Sequence, residues 1–269
     1  MGRVILIVVD GLRYDTAVDR MGYLEGLVHD GAASRYRMRC GLPSKSRPLY
    51  ETIHTGLSPH EHGITSNDVV RPSTSSNIFQ VAHDHGRTTA AAAYFWMSEL
   101  YLGTPYDPHR HREVDEGEGV IHYGRFYVDD AYPDGDLFEQ ADILVERRSP
   151  DFMLIHPMGC DYQGHEHGGE SVQYRRQAAT VDNLLSQLMP KWRHAGYEVI
   201  VTSDHGMDAH GHHGGTYEEV MMVPCYHVGE SHGPVPADDA VVDQRAVAPT
   251  VLTLMDLPRP VSMRIDSLV

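Results

Sequence analysis

Short apolar runs that end on a carboxylate constrain this chain more than anything else in it. Strand-length runs occupy 4–9, 88–95, 151–156, 197–203 and 221–228, and helix-like patterns lie between them at 16–30, 76–86, 136–148, 171–195 and 244–256. Strands that alternate with helices predict an α/β fold, a mainly parallel central sheet with helices on both faces. Sites in such sheets form beyond the carboxyl ends of the strands. Asp10, Asp161 and Asp204 each follow an apolar run closely, so the pattern predicts that they converge on one rim.

A chain of 269 residues that is 41% hydrophobic suits a single domain spanning 1–269. The stretch 100–130 stands apart, with Gly103, Pro105, Pro108, several His and little periodicity; it reads as an insertion or small cap over the site. The run Val4–Val9 is too short to span a bilayer, and the opening Met1-Gly2-Arg3 lacks the charged start of a signal peptide. Cys40, Cys160 and Cys225 are odd in number, show no metal-binding spacing and read as buried reduced thiols. A cytoplasmic protein with no membrane partner is the expectation. A net charge of −16 argues against a nucleic-acid polymer as partner. It does not exclude a small anionic substrate, because bound divalent cations dominate the field around them.

Four segments carry candidate chemistry. Val8-Val9-Asp10-Gly11 delivers a carboxylate onto a glycine turn, a common arrangement on its own. In Leu42-Pro43-Ser44-Lys45-Ser46-Arg47-Pro48 a hydroxyl ahead of a proline marks a helix start, where free N–H groups face an anion. A simple N-cap accounts for that segment equally well. Asp161 and His165 stand four apart and share one face of a helical turn, so both can grip one ion, or form part of a polar loop. The strongest signal is Val201-Thr202-Ser203-Asp204-His205-Gly206, which puts an oxygen and a nitrogen ligand at a strand end, with His213 following on a glycine-rich loop.

Taken in order, these segments resemble the alkaline phosphatase superfamily, nearest its type I phosphodiesterase/nucleotide pyrophosphatase branch. The Ser203-Asp204-His205-Gly206-Met207 run also looks like the ethanolamine-phosphate transferases of lipid-anchor assembly, and Ala246–Leu252 resembles the helix that closes the core in the superfamily. In that branch the nucleophile has a proline two places on and Thr-Gly nine places on. This selects Ser46, which has Pro48 and Thr55-Gly56 at those distances. A phosphate-binding Asn about twenty residues later corresponds to Asn67, which is 21 after Ser46. The resemblance implies two divalent ions, zinc first, with manganese or iron as alternatives. One would be held by Asp161, His165 and His213, and the other by Asp10, Ser46, Asp204 and His205. His213 is preferred to His210 and His212 because it directly precedes Gly214.

The implied activity is hydrolysis of phosphodiester or pyrophosphate bonds through a phosphoseryl intermediate, with the Ser46–Arg47 backbone and Asn67 binding a non-bridging oxygen. The alternative is a phosphomonoesterase or a phosphonate hydrolase similar to phosphonoacetate hydrolases. A sulfatase fits less well, because Pro48 precedes Leu49-Tyr50 rather than Ser-Arg. A phosphomutase or phosphotransferase would want a larger cap than 100–130 offers. A non-catalytic metal-binding module would lack one of these ligands or the nucleophile, and all seven positions are filled. Two positions depart from the branch. Arg47 stands where relatives carry a base-stacking aromatic, and His156 replaces the Tyr of the other stacking position. Arg47 reads either as a solvated helix-start residue or as a cleft residue pairing with a carboxylate or second phosphate of the substrate. The cleft orientation is the expectation tested below.

The Ser46-to-Thr55 spacing separates the two serines. Ser46→Ala is expected to lose turnover by several orders of magnitude, as for a group that acts as a unit with others, while Ser44→Ala keeps it. Steady-state rates on an aryl phosphodiester decide; the reverse pattern would move the nucleophile to Ser44.

Overall fold

The computed structural model describes residues 2–233 and 240–269. Among the described residues nine strands form one sheet: β1 (Arg3–Val8), β2 (Ala33–Arg39), β3 (Thr89–Tyr94), β4 (Glu113–Asp115), β5 (Tyr123–Tyr127), β6 (Phe152–Ile155), β7 (Tyr197–Thr202), β8 (Met222–Val228) and β9 (Val241–Asp243). Their spatial order is β4-β5-β3-β6-β1-β7-β8-β2-β9. The run β5-β3-β6-β1-β7 is parallel throughout, as is the β2–β9 pair. The pairs β7–β8, β2–β8 and β4–β5 are antiparallel. The sheet is therefore mixed but mostly parallel, as the alternating pattern requires.

β1 shows why this sequence makes a central strand. Its register sets Ile5 opposite Met153 on one side and Val199 on the other. Ile5, Ile7 and Val9 face a layer that includes Phe138, Leu185, Met189 and Trp192, whereas Val4, Leu6 and Val8 face Tyr50, Ile53, Phe79, Val251 and Leu252. Every one of these β1 residues is fully buried. That explains an unbroken apolar run instead of an alternating one: the strand is covered on both faces. The helices Asp134–Arg148 and Val172–His194 supply the first layer, and Ser46–Thr55, Ile78–Asp84 and Val247–Leu254 the second.

Two expectations change. The helix over 16–30 is two helices, Tyr14–Arg20 and Gly22–His29, because Met21 leaves the helical region at ψ 69°. The stretch 100–130, expected to be irregular, contributes two short strands to the sheet, with β5 pairing in parallel with β3 and β4 closing the edge. Its strand signal rests on the few residues of Tyr123–Tyr127 and is submerged in flanking charge. Cys40, Cys160 and Cys225 are free and buried. No helix among the described residues is long and apolar enough to cross a membrane.

Because β5, β3, β6, β1 and β7 run in parallel, their carboxyl ends share one rim. Tyr127, Tyr94, His156, Asp10 and Ser203-Asp204 stand at or just beyond those ends. Backbone bonds extend the ladder past the strands, from Val9 N to Thr202 O at 2.8 Å and from Asp10 N to Pro157 O at 3.0 Å. The chain then turns sharply at Gly11, whose φ is +70°. A Cβ there would come within 2.9 Å of the Asp161 Cα, which is backbone and cannot swing aside. Gly11→Ala is therefore expected to cost about 1–3 kcal/mol from the left-handed backbone alone, with further loss from displacing Asp161. Urea unfolding measures it; an unchanged midpoint would show that the turn tolerates a side chain.

Candidate active site

Asp10 and Asp204 leave adjacent strands, β1 and β7, and both are fully buried. Each carboxylate has one satisfied and one unsatisfied oxygen. Asp10 Oδ2 accepts from the Tyr50 hydroxyl and lies 3.2 Å from His156 Nε2. Asp204 Oδ1 accepts from Gly11 N at 3.1 Å. Asp10 Oδ1 and Asp204 Oδ2 are buried without a partner, and so is Asp161 Oδ1. Buried charged oxygens left unpaired are expensive, and all three face the same place.

The histidines are oriented to match. His205 Nδ1 lies 2.9 Å from Gly206 O, His165 Nδ1 2.8 Å from Gly211 O, and His213 Nδ1 2.9 Å from Ser44 O. A carbonyl can only accept, so each Nδ1 carries the proton when the ring is neutral, and each Nε2 presents a lone pair. Such backbone anchors are the usual way of fixing a metal-binding tautomer. The lone pairs converge. His205 Nε2 is 3.3 Å from Asp204 Oδ2 and 3.5 Å from Asp10 Oδ1, and His165 Nε2 is 3.3 Å from Asp161 Oδ2 and 3.2 Å from His213 Nε2. The rings of His205 and His213 stack at 3.8 Å.

Two triads hold their ligand atoms within 4.8 Å of one another: Asp10, Asp204 and His205, and Asp161, His205 and His213. His205 belongs to both, and His165 adjoins the second through its contacts with Asp161 and His213. Mixed carboxylate and imidazole donors, with unpaired oxygens aimed inward, fit two divalent cations.

Ser46 opens the helix Ser46–Thr55 and is nearly buried, with Oγ 3.1 Å from His205 Nε2. Ser44 is turned away from this point. Its hydroxyl donates to Gly215 O at 2.8 Å and accepts from Gly214 N at 3.1 Å, so it braces the His213 loop. Asn67 is half-buried, and its Oδ1 accepts from Arg47 N at 3.1 Å. This occupies the Arg47 backbone N–H expected to bind substrate, and it leaves the Asn67 amide group as the available donor.

The two departures from the family pattern are corrected by geometry. Arg47 does not reach into the cleft: it is 1% exposed, donates to Glu99 Oε2 at 2.8 Å and lies 4.5 Å over the Trp96 ring. The apolar face of the helix start faces the helix Phe95–Tyr101, and a charged side chain there finds its partner inside the protein. His156 stacks on nothing in the cleft; it is fully buried and edge-on to Tyr50 at 4.7 Å, supporting Asp10. Sequence reasoning passed over Tyr50, although it lies one helical turn after Ser46 and so shares its face. It also passed over Gln244, which donates to Asp204 O at 2.6 Å from the far end of the chain, with no local signal.

A family model described as type I phosphodiesterase/nucleotide pyrophosphatase matches residues 4–221. Among curated proteins, the chain is 23% identical to the catalytic subunit of GPI ethanolamine phosphate transferase 3 of Mus musculus, covering 96% of this chain and 24% of that protein. It is 24% identical to GPI ethanolamine phosphate transferase 2 of Kluyveromyces lactis, covering 96% and 35%. The chain thus spans about a quarter to a third of the length of these relatives. Among solved structures, murine ectonucleotide pyrophosphatase/phosphodiesterase 5 superposes with a TM-score of 0.75 at 13% identity, covering 96% of both chains. A phosphonate monoester hydrolase from Silicibacter pomeroyi gives 0.65 at 14%, covering 100% of this chain and 76% of that one. At these identities the superpositions establish a shared fold.

Without cations, protons compensate the site. Burial, then the neighbouring Asp161, raises Asp10 well above the usual carboxylate range; burial and then Asp10 do the same to Asp204. The hydrogen bond to Asp161 pushes His165 up to about 9, whereas burial pulls His205 and His213 down to about 3. Between about pH 7 and 8.5 the lowered histidines titrate in neither the folded nor the unfolded state. His165 binds its proton more tightly when folded, so its contribution is complete below an unfolded value of about 6.5 and fades as pH rises toward 9. The raised carboxylates act in the same direction. A divalent cation held by these groups would compete with the protons, so any stabilisation of chelator-treated protein by added zinc should grow across that window. Thermal midpoints with and without zinc measure the gap; a gap that stays flat or shrinks would contradict this proton ledger.

Proposed function

The chain belongs to the type I phosphodiesterase/nucleotide pyrophosphatase family, and from that premise we propose that it hydrolyses a phosphodiester or pyrophosphate bond with Ser46 as nucleophile and two bound divalent ions, zinc first. One observation carries the reading. Ser46 Oγ lies 3.1 Å from His205 Nε2, the group common to both candidate ligand triads.

Asp10, Asp204 and His205 would hold one ion beside Ser46, and Asp161, His165 and His213 the other. When bound, the pair favours the ionised serine and offsets the charge on the attacking and leaving oxygens. The chain supplies the remainder. Ser46 sits at a helix start where its own N–H is left to favour a phosphoryl oxygen, because Arg47 N donates to Asn67, Pro48 has no N–H and Leu49 N donates to Lys45 O. Asn67 is fixed by Arg47 N through Oδ1, so its amide donates to a non-bridging oxygen. Ser46 Oγ forms a bond to phosphorus as the ester oxygen departs and takes a proton. Water then attacks the phosphoserine and releases Ser46.

A diester is favoured over a monoester or a phosphonate for a specific reason. Those substrates bring extra negative charge, and of the two cations that flank Ser46 in sequence, Lys45 and Arg47, the second is already neutralised by Glu99. The names of the relatives point to a phosphorus ester as substrate: one group is named for nucleotide pyrophosphatase/phosphodiesterase activity and the other for ethanolamine phosphate transfer.

Rapid acid quenching of the zinc-loaded protein with an aryl phosphodiester, followed by peptide mapping, tests this. A phosphorus adduct on the peptide holding Ser46 is expected, together with turnover of the diester at least about tenfold above an aryl monoester or phosphonoacetate. Turnover with no adduct would remove the covalent mechanism. Preference for the monoester or phosphonate would install the alternative activity.

A further inference from the structure

The pair behind the nucleophile is larger than anchoring requires. Arg47 Nη2 donates to Glu99 Oε2 at 2.8 Å, with side chains 2% and 6% exposed, and the guanidinium lies over Trp96. Glu99 is doubly engaged, because its Oε1 accepts from Tyr106 N at 3.1 Å. Arg47 is also held through its backbone, by Asn67 Oδ1.

Stability does not account for such a pair. Two apolar side chains of similar volume hold helices together as well as a buried ion pair, or better, since neither must be stripped of water. This pair is not even fully bonded, because Arg47 Nε and Nη1 are buried without acceptors. What it adds is direction. A planar group fixed at one edge by a carboxylate and on one face by an indole has a single orientation, and the residue that bears it is bonded to Ser46.

We propose that Glu99 is a positioning residue for Ser46: by holding the Arg47 guanidinium it sets the start of the helix Ser46–Thr55, and with it the aim of Ser46 Oγ. Glu99 touches neither the nucleophile nor the ligand groups and acts through Arg47. Its second bond, to Tyr106, ties the same carboxylate to the loop that follows the helix Phe95–Tyr101. The proposal rests on Ser46 being the nucleophile.

Misplacement of a reacting group by about 1 Å costs roughly a hundredfold in rate. Glu99→Gln keeps the shape and removes the charge, so kcat on an aryl phosphodiester should fall about 30- to 100-fold while KM and the zinc content per chain stay unchanged. The decisive variant is the double substitution Arg47→Met with Glu99→Leu, which buries no charge. It should unfold at a temperature close to that of the wild type and still show the reduced kcat. Recovery of kcat along with stability would reduce the pair to scaffolding and overturn the proposal, as would a Glu99→Gln enzyme of normal kcat. If Glu99→Gln does not fold, the double variant decides alone. Ser46→Ala run alongside separates the two ideas: activity surviving in it refutes the nucleophile, whereas activity surviving only in the Glu99 variants refutes the positioning role.

Discussion

Three carboxylates forced together out of water set the terms for this site. Asp10 and Asp204 are fully buried, Asp161 nearly so, and each keeps an oxygen that no donor reaches. Two like charges about 4 Å apart repel by roughly 4 kcal/mol at the effective dielectric of a partly solvated site. The protein relieves little of this with its own cations. Neutral donors take one oxygen each: the Tyr50 hydroxyl on Asp10 and the Gly11 amide on Asp204. The remaining oxygens wait for positive charge. In the free chain burial, and then the neighbouring carboxylates, raise Asp10 and Asp204 so that they hold protons more tightly, and the bond to Asp161 does the same for His165.

Only a sheet of this kind brings such groups together. β1 lies between β6 and β7 with all three parallel, so Asp10, His156 and Asp204 emerge side by side without a turn having to aim them. The ligands from loops need more support. Ser44 links the segment before Ser46 to the His213 loop through its carbonyl and its hydroxyl. The helix Gly159–His167 then presents Asp161 and His165 on one face. A strand-end carboxylate is positioned by the backbone ladder, while a loop histidine is positioned by its second nitrogen.

This division explains what could be read from the sequence. Asp10, Asp161, Asp204 and His205 were legible because each follows an apolar run closely, and such a run is a local property. The central strands were legible for the same reason. The outer strands were not: β4 and β9 have three residues each, and β2, although Arg35-Tyr36-Arg37-Met38-Arg39 alternates strictly, carries three arginines and so forms no apolar run. Arg47 and His156 mark the limit more sharply. Their places next to Ser46 and after β6 were plain, but the direction of a side chain depends on what lies across from it. Glu99 is 52 residues from Arg47 in sequence, and Asp10 is 146 from His156. Both side chains turned inward to meet a partner that no local pattern announces.

The inward turn of Arg47 also bears on how an anion could approach a chain of net charge −16. With Arg47 neutralised by Glu99, the residue after Ser46 offers no free cation, and within the ligand set the His165 proton is set against three carboxylates. Long-range repulsion is nevertheless weak, because charges farther apart than about 8 Å are largely screened at physiological ionic strength. Attraction has to be short-ranged, from the helix start at Ser46, the neighbouring Lys45, the His165 proton and whatever cations the carboxylates hold. Binding of the phosphorus ester proposed as substrate would thereby be tied to occupancy of the ligand set. The same three carboxylates that are costly to bury alone would make the site selective for an anion only once their charge has been reversed.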